Sequence, residues 1–187
     1  ADLNNIVNAL PSEAPLPIQL ISGFPESPLH RMTYAARNFG VDPIIRITHD
    51  KPLFCPLIII KLLASFKKEK PDYAFTKPAT QGMGAEIFSL SILEKAYSKY
   101  YNDNIEFIPG AVESVANKIF EYTCPPIYQE KIRLMLDYPQ DYELLSRLYS
   151  YAILNKISPL DEKFPRHIIH ILKTKLKSWL YSNISRY

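Results

Sequence analysis

Residues 43–56 read P-I-I-R-I-T-H-D-K-P-L-F-C-P. Ile44 to Thr48 is rich in β-branched side chains, so the run predicts a strand, and its apolar character predicts a buried one. His49-Asp50 ends the run. Pro52 and Pro56 forbid its continuation, because proline has no N–H to give to a ladder. Asp50 is thereby set just past the end of an interior strand. In open α/β sheets that edge is where ligands bind.

A second stretch repeats the arrangement. Lys131 to Leu136 (K-I-R-L-M-L) predicts a strand, and Asp137 follows at once. Two aspartates, each at a strand end, can meet in space although they lie far apart in sequence. A pair of hard oxygen ligands with open positions suits Mg²⁺ when the ion also holds a phosphate. An Asp after a strand is also a common turn former or helix N-cap. For Asp137 both readings stand, because Pro139 marks a helix start two residues on. For Asp50 the capping reading is weaker, since the next helix begins near Cys55.

On either side of these stretches the pattern alternates. Ile18 to Ser22 predicts a strand, after a polar lead-in with a short helix at 3–10. Ser27-Pro28 predicts a capped helix start and Gly40 its stop, with Leu29, Met32, Ala35, Ala36 and Phe39 on one face. Helices follow over 56–68, 89–100, 111–120, 140–154 and 166–181, and strands over 73–76 and 86–88. The loop 77–84 carries Gly82 and Gly84. Strands alternating with helices of this length indicate βαβ units: an α/β fold, mostly parallel, with helices on both faces. The expected organisation is one domain over 1–157, followed by an amphipathic helical appendage over 158–187.

Composition narrows the class. The chain has 187 residues, 47% hydrophobic and 22% charged, enough to bury one core. No apolar run approaches the roughly 20 residues of a membrane span, and the first ten residues lack the basic start of a secretory signal. Cys55 and Cys124 are too few for a disulfide framework, so both read as reduced thiols of a cytoplasmic protein. A net charge of +3 permits an anionic ligand without demanding nucleic acid. With five glycines there is neither a G-x-G-x-x-G nor a Walker loop. His167 and His170 are spaced i, i+3, which can place two imidazoles on one metal, but no Glu or Cys companion stands near, so they read as surface or partly packed histidines.

Four blocks carry a resemblance: G-F-P-E-S-P-L-H-R-M (23–32), I-I-R-I-T-H-D-K-P-L (44–53), G-A-E-I-F-S-L-S-I-L-E-K-A (84–96) and I-R-L-M-L-D-Y-P-Q-D-Y-E-L-L (132–145). In order and spacing they resemble the cytidylyltransferases of the spore-coat polysaccharide biosynthesis type, relatives of the CMP-sialic acid and CMP-Kdo synthetases. The likeness covers roughly residues 18–155. It implies the Rossmann-like nucleotide-diphospho-sugar transferase fold and a reaction in which a sugar oxygen attacks the α-phosphate of CTP. It implies that Asp50 and Asp137 are catalytic and bind Mg²⁺. It places Glu86 in the sugar-side loop and puts Arg46 and Arg133 in the same blocks as the aspartates, as candidate substrate contacts. For both arginines, ion pairing within the sheet is the competing reading. The implied partners are a nucleotide, CTP or a CMP-sugar, and a sugar, with no nucleic acid and no membrane span. A homodimer is implied through residues 102–128. The sugar pocket is expected from the loop 77–86 and the segment 102–110.

The chain departs from that pattern. The basic, glycine-bearing loop that cradles the triphosphate in the family has no match, and the family's E-H-V-T segment reads Glu106-Phe107-Ile108-Pro109. The expectation is a truncated or degenerate member that folds but does not turn over CTP by itself, because triphosphate positioning carries most of this chemistry. Two alternatives remain: a non-catalytic binding or assembly module of the same fold, and a sugar-nucleotide-dependent glycosyltransferase, which the absence of any D-x-D disfavours.

Overall fold

The structure is a computed structural model that describes residues 19, 21, 23, 27–77, 79–158, 161 and 164–174. The predicted helix at 3–10 and nearly all of the predicted strand at 18–22 lie outside these residues. So do residues 175–181 of the predicted last helix. The chain divides into two compact units, Ala1–Ile44 with Ser89–Asn117, and Ile45–Phe88 with Lys118–Tyr187.

The first unit is helical where described. Helix α1 (Pro28–Phe39) starts where Ser27 accepts the His30 N–H at 3.5 Å. It ends at Gly40, whose φ of 60° is the left-handed conformation that a helix stop of this kind uses. Helix α1 buries Leu29, Thr33 and Ala36. The Thr33 hydroxyl donates to the Leu29 carbonyl at 2.8 Å, which satisfies that buried side chain. The partner is the helix capped by Ser89, which spans Leu90–Lys99 and buries Ile92, Leu93 and Ala96. Asp42 adds a second acceptor at that helix start, taking the Leu90 N–H at 3.0 Å. A one-and-a-half-turn helix, Ile108–Glu113, packs on it through Ile108, Ala111 and Val112. In chain order these are α3 (Leu90–Lys99) and α4 (Ile108–Glu113), and α2 (Pro56–Glu69) belongs to the second unit.

The second unit is built on four short strands: β1 (Ile44–Arg46), β2 (Tyr73–Thr76), β3 (Glu86–Phe88) and β4 (Ile119–Tyr122), in the order β1-β3-β2-β4. β2 runs antiparallel to β3, with Ala74 opposite Ile87, and parallel to β4, with Ala74 opposite Phe120. The sheet is therefore mixed, and the expectation of a mostly parallel sheet is corrected. The reason lies in the connection: only the loop 77–85 joins β2 to β3, and a parallel pair would need a crossover of a dozen residues or more. Helix α2 covers the sheet with Ile59, Leu62 and Phe66 against Ala74, Ala85 and Ile87. A second cluster joins Ile58 of α2 to Leu53, Cys55, Met83 and Leu134. To it helix α5 (Pro139–Leu154) adds Leu144, Leu145 and Leu148, and helix α6 (Phe164–Thr174) adds Phe164, Ile168 and Leu172. Each fully buried Leu or Ile here contributes roughly 1.5–3 kcal/mol.

Three further expectations are corrected. β1 is neither interior nor buried among the described residues: it ends the sheet, Ile45 is exposed and Arg46 half-buried. Residues 131–136 form no strand. Ile132 and Leu134 are buried, but among the described residues the segment makes one isolated parallel bridge, Gln81 with Arg133, in place of a ladder. The partner is a tight loop turning at Gly82, so no ladder can lengthen. The predicted helix over 111–120 stops at Glu113, and Ile119–Tyr122 is β4.

Candidate active site

The turn that ends β1 holds Asp50. Thr48 Oγ1 donates to Asp50 Oδ1, and Lys51 N–H closes the turn on the Thr48 carbonyl at 3.1 Å. The Tyr149 hydroxyl of α5 donates to the Pro52 carbonyl and ties the turn down. Asp50 is half-buried, and among the described residues its Oδ2 accepts no hydrogen bond.

The extended segment 133–136 brings the second aspartate in. Leu136 N–H donates to the carbonyl of Asp50 at 2.8 Å, and Leu134 N–H donates to that of Gln81 at 2.9 Å. Asp137 follows directly, exposed and ion-paired with Arg133. The two loops that the sequence pairs through Asp50 and Asp137 are thus joined by a backbone hydrogen bond, without the second strand.

Asp141 completes this corner. It is buried at N3 of α5, and its Oδ2 accepts the N–H groups of Asp137 and Tyr138 at 3.0 Å each. The same oxygen lies 3.5 Å from Arg133. Burial opposes the charge of the Arg133 guanidinium, but the hydrogen bonds and charges of Asp137 and Asp141 outweigh it and raise its pKa. Sequence reasoning missed Asp141 as a member of the site. Its signal was present in Pro139 followed by an acid two residues on, the pattern of a helix N-terminus that closes on its own cap.

Beside this corner lies an open pocket of about 310 Å³. Tyr73 and Phe75 line it with aromatic surface, their rings stacked at 5.3 Å. Lys51, Gln81 and Met135 line it from the aspartate side, and Glu86 from β3. Glu86 is held by Arg46, Oε2 to Nη1 at 2.6 Å, across β3 and β1. Arg46 is thus ion-paired within the sheet, whereas Arg133 is ion-paired outside it, with Asp137 and Asp141. Lys51 has no ion pair among the described residues, and sequence reasoning did not single it out although it directly follows Asp50. Of the loop expected to build the sugar pocket, residues 79–82 and 84–86 line this cavity. The segment 102–110 lines a separate pocket of about 330 Å³ in the first unit, with Tyr100, Asn104, Glu106 and the exposed Phe107.

Asp50 and Asp137 are hard oxygen donors of the type that Mg²⁺ takes. Two carboxylates, one with a free oxygen, are the protein's usual share of a site where phosphate and water oxygens supply the rest. Among the described residues no group of three His, Cys, Asp or Glu side chains converges as a metal cage would require. Cys55 and Cys124 are buried free thiols. Burial pushes both pKa values up, that of Cys124 to about 11, with the neighbouring Cys55 adding to the effect. Such thiols are inert as ligands or nucleophiles at neutral pH.

The fold is nucleotidyltransferase-like. It matches the solved structure of a cytidylyltransferase from Leptospira borgpetersenii serovar Hardjo-bovis with a TM-score of 0.65 and 27% identity, over 80% of this chain and 63% of that one. An uncharacterized protein of Methanocaldococcus jannaschii is 32% identical over 143 residues, which are 73% of this chain and 58% of the relative. The chain spans less than two thirds of either. No family model matches it. No helix among the described residues is long and apolar enough to cross a membrane.

Proposed function

We propose that this chain holds the metal and the sugar in a CTP-dependent sugar-activating enzyme of surface polysaccharide or glycan synthesis. Asp50 and Asp137 hold Mg²⁺, and the pocket between Lys51 and Glu86 takes the sugar. The reaction forms a bond from a sugar oxygen to the α-phosphorus of CTP and breaks the bond to pyrophosphate, with the hydroxyl proton leaving to water. Mg²⁺, when bound, supplies positive charge to the phosphate oxygens. Asp50 presents an oxygen for it from a turn braced by Thr48 and Tyr149. The Lys51 ammonium meets an anionic group of the ligand. Glu86, fixed by Arg46, accepts from a sugar hydroxyl, and Phe75 packs against the ring. A homodimer built through residues 102–128 belongs to the same proposal.

The observation that carries this reading is the hydrogen bond from Leu136 to Asp50, which unites the two aspartate loops beside the pocket. Saturation-transfer NMR with a panel of CMP-activated sugars and Mg²⁺ tests it. Signal transfer to sugar-ring protons that is lost in Glu86→Gln is the expected result, and no transfer from any sugar overturns the pocket assignment. A non-catalytic module of the same fold is the second reading, favoured by Arg133 already occupying Asp137.

A further inference from the structure

We propose that Arg133 is an internal counter-ion that competes with the divalent cation for Asp137, with Asp141 as its permanent partner. This rests on the metal reading above. One guanidinium nitrogen, Nη2, meets Oδ2 of Asp137 and lies 3.5 Å from Oδ2 of Asp141. The two carboxylates are not equivalent. Asp141 has a 10% exposed side chain and is pinned by two backbone N–H groups, whereas that of Asp137 is 40% exposed. Asp137 is therefore the partner that can leave.

The corner is built for that exchange. When a cation takes Asp137, Arg133 keeps Asp141, so no buried charge is left uncompensated. The arginine's backbone is held at the bridge to Gln81 and its guanidinium carbon lies 5.7 Å from the centre of the Tyr138 ring, contacts that favour its staying beside Asp141. The N–H that leaves Asp137 can then bind an oxygen of an anionic ligand. Cation and anion thus favour one another: the metal alone must displace a cation, while the metal with a phosphate gives that cation a new partner. Coupling of this kind is reciprocal. The site takes a metal–phosphate complex in preference to either component.

Mn²⁺ binding, followed by water-proton relaxation with and without CMP, tests this on the wild type and on Arg133→Gln, Arg133→Lys, Asp141→Asn and Asp50→Asn. Arg133→Gln removes the competitor and tightens Mn²⁺ alone by about fivefold, while abolishing the extra affinity that CMP confers. Arg133→Lys keeps the charge and stays near the wild type, which a purely structural arginine would not allow. Asp141→Asn turns Arg133 wholly onto Asp137 and weakens Mn²⁺, and it carries the test should Arg133→Gln not fold. Mn²⁺ affinity unchanged or lowered in a folded Arg133→Gln overturns the proposal. If Asp50→Asn loses Mn²⁺ while Arg133→Gln gains nothing, this proposal fails alone. If no variant binds Mn²⁺, or Asp50→Asn binds like the wild type, the metal reading fails with it.

Discussion

The backbone N–H of Leu136 donates to the carbonyl oxygen of Asp50 at 2.8 Å. Two positions away, Leu134 donates to Gln81 at 2.9 Å. One extended segment therefore holds the turn of Asp50 on one side and the pocket loop on the other, and delivers Asp137 at its end. The aspartate corner and the pocket share a wall, so a change that loosens residues 133–136 disturbs both.

Gly82 is the tightest point of that wall. Its φ is 94°, and a Cβ there would overlap the Leu134 carbonyl. Both the conformation and the space exclude a side chain. Gly82→Ala is expected to destabilise the protein by roughly 1–3 kcal/mol, read as a lower urea midpoint by circular dichroism. An unchanged midpoint would show that the loop does not pack against residues 134–135.

Asp141 closes the start of α5 and neutralises Arg133. Asp141→Ala leaves two N–H groups without their acceptor and is expected to lose about 1–2 kcal/mol. Asp141→Asn retains an acceptor oxygen and should recover most of that loss. Equal losses in both variants would assign the effect to the charge instead of the cap.

These two residues also show how far the sequence could be read. Ser27-Pro28 and Gly40 mark the limits of α1 because capping is local chemistry, and the helix falls within a residue of its prediction. β4 was hidden because Ile119-Phe120-Glu121-Tyr122 follows a helix without a strong stop. Its place beside β2 is decided by the long-range register of Ala74 with Phe120. Residues 131–136 have the alternation of a strand, and Ile132 and Leu134 do point inward. Whether a strand forms depends on a neighbour able to pair, and the neighbour is the turn at Gly82. The pairing of Arg46 with Glu86 was legible as one of two alternatives, since only the adjacency of β1 and β3 decides between a free cation and an ion pair.

Cys124 sets a pH dependence. Burial raises its folded pKa to about 11 against an ordinary 9.0, and the proximity of Cys55 adds to the rise. A raised folded pKa means that the folded state keeps the proton longer than the unfolded state does. Its contribution to stability is complete below the unfolded value and is lost as pH rises from about 9 to about 11. Urea midpoints should fall across that window in the wild type and fall less in Cys124→Ala. An identical alkaline slope in the two proteins would remove the thiol from the account.

The most direct test of the central claim is calorimetric titration of the chain with CTP in the presence of Mg²⁺, set beside Asp50→Ala. Binding by the wild type that depends on Mg²⁺ and weakens at least tenfold in Asp50→Ala is the predicted result, since the variant removes one of the two carboxylates proposed to hold the ion. Equal binding by the two proteins, or binding indifferent to Mg²⁺, would contradict the assignment of Asp50 and Asp137 as the metal pair.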